Sequence, residues 1–304
     1  MEQRNEIPLQ SAEGIAQAHF GELLQGMFIV RGRLVRALIT LPCPEFRVTA
    51  KFEPTSDRDI RSVPSCREKS IAAIKNIFGE RCIAEGGVIT LDNNFPSGMM
   101  RAGMGSSTAD VTAAVIAAYH ALGIEPADDV VAREVVKAED SGDPLIYKNR
   151  GVLFGHRDGI VFEDFGENIP PMRVVGMNTD TTGEGVDTLK HPPANYRVSE
   201  LEQFAFLHNE ARNAIQTQDP VGIARVATGS ATINQRYLRN NEFPHLKRMI
   251  KTWKALGVAV SHSGTVGGLL YPPDVDEDLI QTVKRIFANC HSPIEFRTDR
   301  MLNS

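Results

Sequence analysis

The sequence predicts an α+β protein built from two domains. Its 304 residues are too many for most single hydrophobic cores and suit two domains in close contact. Strand patterns dominate the start of the chain, whereas three helical patterns follow one another in the second half. Pro170 and Pro171 precede a fresh strand between these halves. We therefore predict one domain over residues 1–168 and a second over residues 169–304.

The composition favours a soluble protein with a small-molecule ligand. Hydrophobic residues make up 42% of the chain and charged residues 23%, which is typical of a globular fold. A net charge of −5 offers no basic surface for nucleic acid, and no stretch is apolar enough to span a membrane. The N-terminus lacks the apolar core of a signal peptide, so we expect a cytoplasmic protein, either a monomer or a homodimer.

The cysteines indicate neither a disulfide framework nor a zinc site. Cys43, Cys66, Cys82 and Cys290 are scattered, without a CxxC pair or a neighbouring histidine at metal-ligand spacing. We expect all four to be reduced, semi-buried thiols.

The first half of the chain begins as a sheet. Alternating apolar residues between Gly26 and Pro54 predict antiparallel strands joined by a turn at residues 31–33. A helix follows over residues 67–80, with Gly79 as its end, and then a strand over residues 86–96.

A second helix follows a glycine-rich loop. Its apolar residues recur at spacings of three and four from Val111 to Leu122, which predicts an amphipathic helix facing a core. The first turn lies at residues 106–110, where Ser107 or Thr108 can cap it, and Gly123 is well placed as the C-terminal stop.

The remaining patterns complete the α+β prediction. They indicate helix 128–140, a hairpin turning at residues 156–159, a strand before residue 179, a long mobile loop at 179–196, helices 199–217, 220–238 and 244–256, strands 257–264 and 266–271, helix 276–290 and strand 294–299.

The loop before the second helix has the composition of a phosphate cradle. Gly98, Gly103 and Gly105 leave the backbone bare next to a helix N-terminus, whose free N–H groups attract anions. An ordinary glycine-rich connection explains this local pattern equally well. A P-loop is excluded because Met104 replaces its lysine, and a dinucleotide-binding fingerprint is excluded because Thr108 replaces its third glycine.

Three motifs in order resemble those of the GHMP kinases, the superfamily of galactokinase, homoserine kinase and mevalonate kinase. Pro96 followed by "GMGSSTA" at residues 103–109 is similar to their ATP loop, "SAEGIAQAHFGELLQG" at 11–26 to their first motif, and "LGVAVSHSGTVGGLLY" at 256–271 to their third. The resemblance implies the two-domain GHMP kinase fold, with an N-terminal domain like ribosomal protein S5 domain 2 and a ferredoxin-like C-terminal domain. It also implies that ATP is bound by Gly103, Met104, Gly105, Ser106, Ser107 and Thr108.

Within the superfamily, the chain is most similar to the L-threonine kinases of cobalamin side-chain synthesis and propanediol-utilisation clusters. The similarity rests on "GELLQG" at residues 21–26, "SHSGT" at 261–265 and "GSSTAD" at 105–110. It implies phosphorylation of the L-threonine hydroxyl, with serine, homoserine or another small alcohol as alternative acceptors. Many GHMP kinases carry a Lys or Arg in the first motif, and residues 18–22 have none. This absence, together with an acidic loop, "EDSGDP", that departs from the family pattern, leaves a nucleotide-binding regulator without catalysis as a second interpretation.

The resemblance also assigns roles in phosphoryl transfer, which needs a metal, positioning and a proton acceptor. Ser107 and Glu139 are implied as ligands of Mg²⁺, with Asp140 as a rival because "EDSGDP" is one residue longer than the family pattern. Asp143 is the implied catalytic carboxylate, either as a base or as a group that only orients the acceptor hydroxyl.

Six further side chains are candidates for substrate binding, although each could instead be structural. They are His19, Glu22, Gln25, Ser263, Gly264 and Thr265. His19 could also supply the positive charge that the first motif lacks. His262 lies between two serines, but no acid or nucleophile elbow supports a hydrolase triad.

Overall fold

The α+β prediction is confirmed by the computed structural model, which describes residues 8–96, 99, 103–180, 190, 192, 194–288 and 293–299. The strands are β1 (Ala12–Val30), β2 (Arg33–Thr55), β3 (Ile60–Val63), β4 (Gly86–Asn93), β5 (Arg150–Gly155), β6 (Ile160–Asn168), β7 (Arg173–Asn178), β8 (Gly257–Val260), β9 (Val266–Tyr271) and β10 (Pro293–Arg297). The helices are α1 (Glu68–Glu80), α2 (Ser106–Ala121), α3 (Asp128–Glu139), α4 (Val198–Gln216), α5 (Pro220–Asn234), α6 (Phe243–Thr252) and α7 (Glu277–Ala288).

All ten strands belong to one mixed sheet. The strand order is β10-β7-β9-β8-β1-β2-β4-β3, and β5 pairs with both β2 and β6. The β1–β2 hairpin turns at residues 31–32, as predicted, and extends the sheet into both halves of the chain. β6 ends at Asn168 and β7 begins at Arg173, while the domain boundary between them stays a prediction.

The first strand is longer than predicted. It begins at Ala12 instead of Gly26, and its ladder with β2 shifts register three times between Gln17 and Leu24. These irregularities break the alternation of apolar and polar residues on which a strand prediction depends. β3 was not predicted, and α1 continues through Gly79 to Glu80.

Helix α2 is buried on nearly all sides, so the amphipathic prediction is wrong. Twelve of its sixteen residues are buried, because β1, β2, α1 and α3 all pack around it. A Cβ at Gly14 of β1 would lie 2.2 Å from the carbonyl oxygen of Ala113, so strand and helix are in backbone contact. A helix that is apolar all round belongs to a core and not to a surface. α2 is therefore a fixed support for the loop at its N-terminus.

The β1 strand joins the two halves of the chain. Glu22 pairs with Val260 of β8, and the neighbouring Phe20 is fully buried against Phe296 of β10, with ring centroids 5.4 Å apart. A Cβ at Gly176 would lie 2.2 Å from the Phe20 ring, which explains the glycine at that position of β7. The first motif is thus anchored on both sides by apolar packing.

The exposure of the cysteines differs from the prediction. Cys43 is buried whereas Cys66 and Cys82 are exposed, so the expectation of semi-buried thiols is wrong for these three. Gly98, Cys290 and most of the predicted loop at 179–196 lie outside the described residues. No helix in the described part of the chain is long and apolar enough to cross a bilayer.

Candidate active site

The glycine loop leads into α2 without a side-chain cap. Gly105 is the N-cap residue in the left-handed conformation, with φ of 69°, and its carbonyl accepts from the Ala109 N–H at 2.7 Å. The prediction that Ser107 or Thr108 caps the helix is wrong, because both hydroxyls point at carboxylates instead. No side chain of the described residues caps the N–H groups of the first turn, and these groups lie at the positive end of the helix dipole.

Ser107 is bound to Glu139 at the end of α3. The Ser107 hydroxyl donates to Oε1 of Glu139 at 2.5 Å, and Nζ of Lys69 lies 3.1 Å from the same oxygen. Glu139 is buried, and its Oε2 atom has no hydrogen-bond partner among the described residues. A buried carboxylate oxygen beside a serine hydroxyl is the donor chemistry that Mg²⁺ prefers, so these two residues fit the metal that the resemblance implies.

Asp140, the rival metal ligand, has a different environment. It is the exposed C-cap residue of α3, with φ of 61°, and its carbonyl oxygen accepts from Arg157 at 3.4 Å. Glu139 is therefore the residue of this pair that contacts the glycine loop.

Asp143 is bound to His19 of the first motif. Nε2 of His19 lies 3.1 Å from Oδ2 of Asp143, and the Thr108 hydroxyl donates to the same oxygen at 3.4 Å. The other ring nitrogen of His19 lies 3.2 Å from the carbonyl oxygen of Gly21. A Cβ at Gly105 would lie 2.5 Å from the His19 ring, so the glycine loop, the histidine and the carboxylate are in mutual contact.

A bulge in β1 brings Glu22 into the same cluster. One ligand atom from each of His19, Glu22 and Asp143 lies within 4.8 Å of the others. Residues i and i+3 of a regular strand face opposite sides of a sheet. The register shift between His19 and Glu22, with Gly21 at φ of 71°, removes this alternation and places both side chains beside Asp143.

The charges of His19 and Asp143 stabilise each other. Burial alone lowers the pKa of His19, but the charge and hydrogen bond of Asp143 outweigh it and raise the pKa to about 9. For Asp143, burial favours the neutral form, and the charge and hydrogen bond of His19 nevertheless lower its pKa below the ordinary value. Near neutral pH the pair is an imidazolium and a carboxylate. His19 therefore supplies a cation in the first motif.

Glu22 is neutral at the same pH. Burial raises its pKa to about 8, against the opposing charge of His19. Its Oε2 atom has no hydrogen-bond partner in the described part of the chain. Of the two carboxyl groups in the cluster, only that of Asp143 is therefore charged near neutral pH.

The third motif packs against the glycine loop. A Cβ at Gly103 would lie 2.3 Å from the Ser263 hydroxyl and 2.4 Å from that of Thr265. These two hydroxyls are 2.5 Å apart, and the Ser261 hydroxyl accepts from the Thr265 N–H at 3.0 Å. Gly264 turns the chain with φ of 72°, and Asn240 donates to its carbonyl oxygen at 2.8 Å. Ser263 and Thr265 therefore contact the loop, and the role of all three residues with a substrate stays a prediction.

Gln25 lies on the other side of the site. Its Oε1 atom is 2.6 Å from Nδ1 of His262, and its carbonyl oxygen accepts from Asn234 of α5 at 3.0 Å. Burial lowers the pKa of His262 to about 4 and that of His156 to about 3, so both rings are neutral. Their centroids lie 5.5 Å apart.

Two cavities adjoin these residues. The first, of about 480 Å³, lies at the start of α2 and is lined by Cys66, Arg67, Glu68, Lys69, Ser70, Asn93, Phe95, Ser106, Ser107, Asp110 and Val111. The second, of about 520 Å³, lies beside Gln25 and His262 and is lined also by residues of β2, the β5–β6 turn and α5. Cavities of this size hold small molecules.

The sequence analysis did not identify several residues that line these cavities. Lys69 reaches Glu139 from α1, and Arg67 pairs with the buried Asp110 at 3.2 Å on the wall of the first cavity. Arg36 and Arg157 line the second cavity. No local motif contains these side chains, because their proximity arises only from the packing of distant elements.

Residues 68–145 match the family described as GHMP kinases N terminal domain. Among curated proteins, the L-threonine kinase of Salmonella typhimurium is 27% identical over 168 residues, which is 55% of each chain. The L-threonine kinase of Citrobacter freundii is 30% identical over 173 residues, covering 55% of this chain and 57% of that protein. Each match thus spans little more than half the length of the curated relative.

Solved structures share the fold over almost the whole chain. The homoserine kinase of Cytophaga hutchinsonii superposes with a TM-score of 0.66 at 15% identity, covering 98% of this chain and 96% of that one. The L. major mevalonate kinase in complex with R-mevalonate gives 0.65 at 15% identity, covering 98% of both chains. Residues 68–145 are therefore similar to the N-terminal domain of the GHMP kinases, and the chain shares the fold of the homoserine and mevalonate kinases.

Proposed function

We propose that this protein is an ATP-dependent kinase that phosphorylates the hydroxyl of a small molecule. One observation carries the proposal: neighbouring hydroxyls in the first turn of α2 contact two different carboxylates. Ser107 binds Glu139, and Thr108 binds Asp143. In this proposal Glu139 binds the metal and Asp143 orients the acceptor hydroxyl, so both parts that assist phosphoryl transfer lie at the same helix N-terminus.

The nucleotide occupies the glycine loop and the first cavity in this proposal. Residues 103–108 surround its phosphates with backbone N–H groups, and the cavity beside Ser107 takes the rest of the molecule. Mg²⁺ held by Ser107 and Glu139 neutralises phosphate charge when bound. Lys69 adds a second positive charge beside Glu139.

Asp143 and His19 act on the acceptor. The Asp143 carboxylate accepts a hydrogen bond from the substrate hydroxyl and aligns its oxygen with the phosphate. Because His19 lowers the pKa of Asp143, the carboxylate is a weak base in the ground state and takes the proton late, when bond formation has made the hydroxyl acidic. The imidazolium of His19 stabilises the carboxylate and lies against the loop that holds the phosphates.

L-Threonine is the acceptor that we propose. The support is the similarity to two curated L-threonine kinases and the agreement of the first and third motifs with that branch. Serine, homoserine and other small alcohols are the alternatives. The regulator interpretation rests on the missing basic residue of the first motif and on the altered acidic loop, and the raised pKa of His19 weakens the first of these two arguments.

The test is ADP release from Mg-ATP by the purified protein with L-threonine, L-serine, L-homoserine and small alcohols, with the product mass measured. Fastest turnover of L-threonine, with one phosphoryl group added, supports the full proposal. Selective turnover of another alcohol leaves the kinase and removes the threonine assignment. ATP binding without turnover of any acceptor contradicts the kinase proposal and favours the regulator.

A further inference from the structure

The second cavity contains charged side chains that the fold itself does not neutralise. Arg36 of β2 is half-buried in its wall, and its guanidinium makes no hydrogen bond or ion pair with the described part of the chain. Arg157, in the β5–β6 turn, has one contact, a 3.4 Å approach to the carbonyl oxygen of Asp140. Neither guanidinium forms an ion pair with a carboxylate of the described residues, so Arg36 keeps its side-chain donors and Arg157 keeps all but one for a ligand.

One acidic group lines the same cavity. Asp158 follows Arg157 in the turn, and its carboxylate forms no ion pair with the residues that the structure describes. Two cations and one anion line this space of about 520 Å³, and together they complement a small zwitterion better than a neutral or purely anionic molecule.

His262 connects this cavity with the reacting groups. His262 lines the cavity, is bound to Gln25, and interacts electrostatically with Asp143. The positive charge of Arg36 and Arg157 also helps to keep His262 neutral, which indicates that all three groups share one environment.

We propose that Arg36 and Arg157 bind the carboxylate of an amino-acid acceptor in the second cavity, and that Asp158 binds its ammonium group. This inference rests on the proposed kinase function and names the substrate class of the same site. Guanidinium groups recognise a carboxylate through paired hydrogen bonds, which a neutral amide cannot replace. Threonine, serine and homoserine share this zwitterion, so the assignment does not depend on which of them is the substrate.

The experiment compares L-threonine with L-threoninamide, which lacks the carboxylate but keeps the hydroxyl and the ammonium group. In the wild type, we expect kcat/KM to be at least about tenfold higher for L-threonine. Arg36→Gln and Arg157→Gln should each raise the KM for L-threonine by at least about tenfold and reduce this preference, with kcat and the KM for ATP little changed. Asp158→Asn should raise KM for both compounds, since both carry the ammonium group.

Arg225→Gln is the matched control, because Arg225 is exposed on α5 outside the cavity. Arg36→Lys serves where Arg36→Gln folds poorly: it keeps the charge, loses the planar fork, and should still raise KM. Circular dichroism and thermal unfolding establish that each variant is folded.

The outcomes separate this inference from the proposed function. Wild-type turnover of L-threonine with an unchanged KM in both arginine variants overturns the inference and leaves the kinase intact. Equal turnover of L-threonine and L-threoninamide by the wild type likewise overturns the inference and leaves the kinase proposal intact. If the wild type phosphorylates no acceptor, the kinase proposal fails. Calorimetric titration with L-threonine then tests the arginines: loss of binding in the variants supports the inference, and no binding by the wild type overturns it.

Discussion

The imidazole of His19 and the carboxylate of Asp143 are 3.1 Å apart, although 124 positions separate them in the chain. The side chains are 4% and 21% exposed, so solvent screens their interaction only weakly. The pair joins the first motif to the loop after α3 directly beside the N-terminus of α2. His19 thus provides the positive charge beside Asp143 in a first motif that contains no Lys or Arg.

Asp143→Asn is expected to abolish most turnover while ATP binding is retained. The amide keeps the size of the side chain but cannot accept the hydroxyl proton, so we expect kcat to fall by about 10²–10⁴-fold. ADP release and nucleotide titration measure the two effects. Asp164→Asn, at an exposed pair with Arg150, is the control. Full activity in Asp143→Asn would remove Asp143 from the mechanism.

His19→Gln is expected to move the acidic limb of the kcat–pH profile to higher pH. The imidazolium lowers the pKa of Asp143, and burial without that charge raises it. The carboxylate of the variant therefore becomes protonated, and inactive, at a higher pH than in the wild type. His245→Gln, on the exposed face of α6, should leave the profile unchanged. An acidic limb that does not move in His19→Gln contradicts the coupling.

Glu22→Gln is expected to become more stable relative to the wild type as the pH rises. The pKa of Glu22 is raised from 4.5 to about 8 on folding, so the folded wild type holds a proton that the unfolded chain releases. Wild-type stability from this group is complete below pH 4.5 and is lost as the pH rises towards 8. The Tm difference between variant and wild type should therefore grow between these values. Glu202→Gln, exposed on α4, should give a constant difference, and a constant difference for Glu22→Gln would refute the prediction.

Glu139→Gln is expected to raise the Mg²⁺ concentration for half-maximal velocity by about tenfold or more. The amide weakens the bond to a cation and also leaves Lys69 without its ion-pair partner. Asp140→Asn is the matched comparison, since Asp140 is the exposed neighbour. If Asp140→Asn has the larger effect on the Mg²⁺ requirement, the metal role belongs to Asp140.

Gly105→Ala is expected to lose activity, whereas Gly123→Ala is expected to keep it. Both glycines have φ near 70°, so each substitution costs roughly 1–2 kcal/mol of folding free energy from backbone strain. A Cβ at Gly105 would also lie 2.5 Å from the His19 ring, while a Cβ at Gly123 meets nothing within 4 Å. Thermal unfolding and ADP release separate the two effects. Equal activities of the two variants would show that the contact with His19 is unimportant.

The sequence predicted most of the second half of the fold because its elements follow regular periods. The α5 pattern and the strand at 266–271, for example, begin at their predicted residues. Helix α2 was predicted at its correct start, but its burial on nearly all sides was not, because spacing along one helix contains no information on how many elements surround it.

The candidate site was predictable where its signal is local. The glycine loop, Ser107 and Asp143 lie in recognisable motifs, whereas Lys69, Arg36 and Arg157 have no local signal. The contact between Thr108 and Asp143 was also missed, because a threonine at a helix start is ordinarily interpreted as a cap. The interactions that depend on distant packing could not be derived from one chain without its structure.

The bulge at Gly21 makes the site sensitive to the backbone conformation of β1 as well as to its side chains. Replacing Gly21 with a β-branched residue, which disfavours its φ of 71°, would favour regular alternation through residues 19–22 and turn either His19 or Glu22 towards the opposite face of the sheet. Every side chain of the cluster could be retained in such a variant while the cluster itself is lost. Gly21 is therefore expected to be essential to the cluster although it contributes no side chain to it.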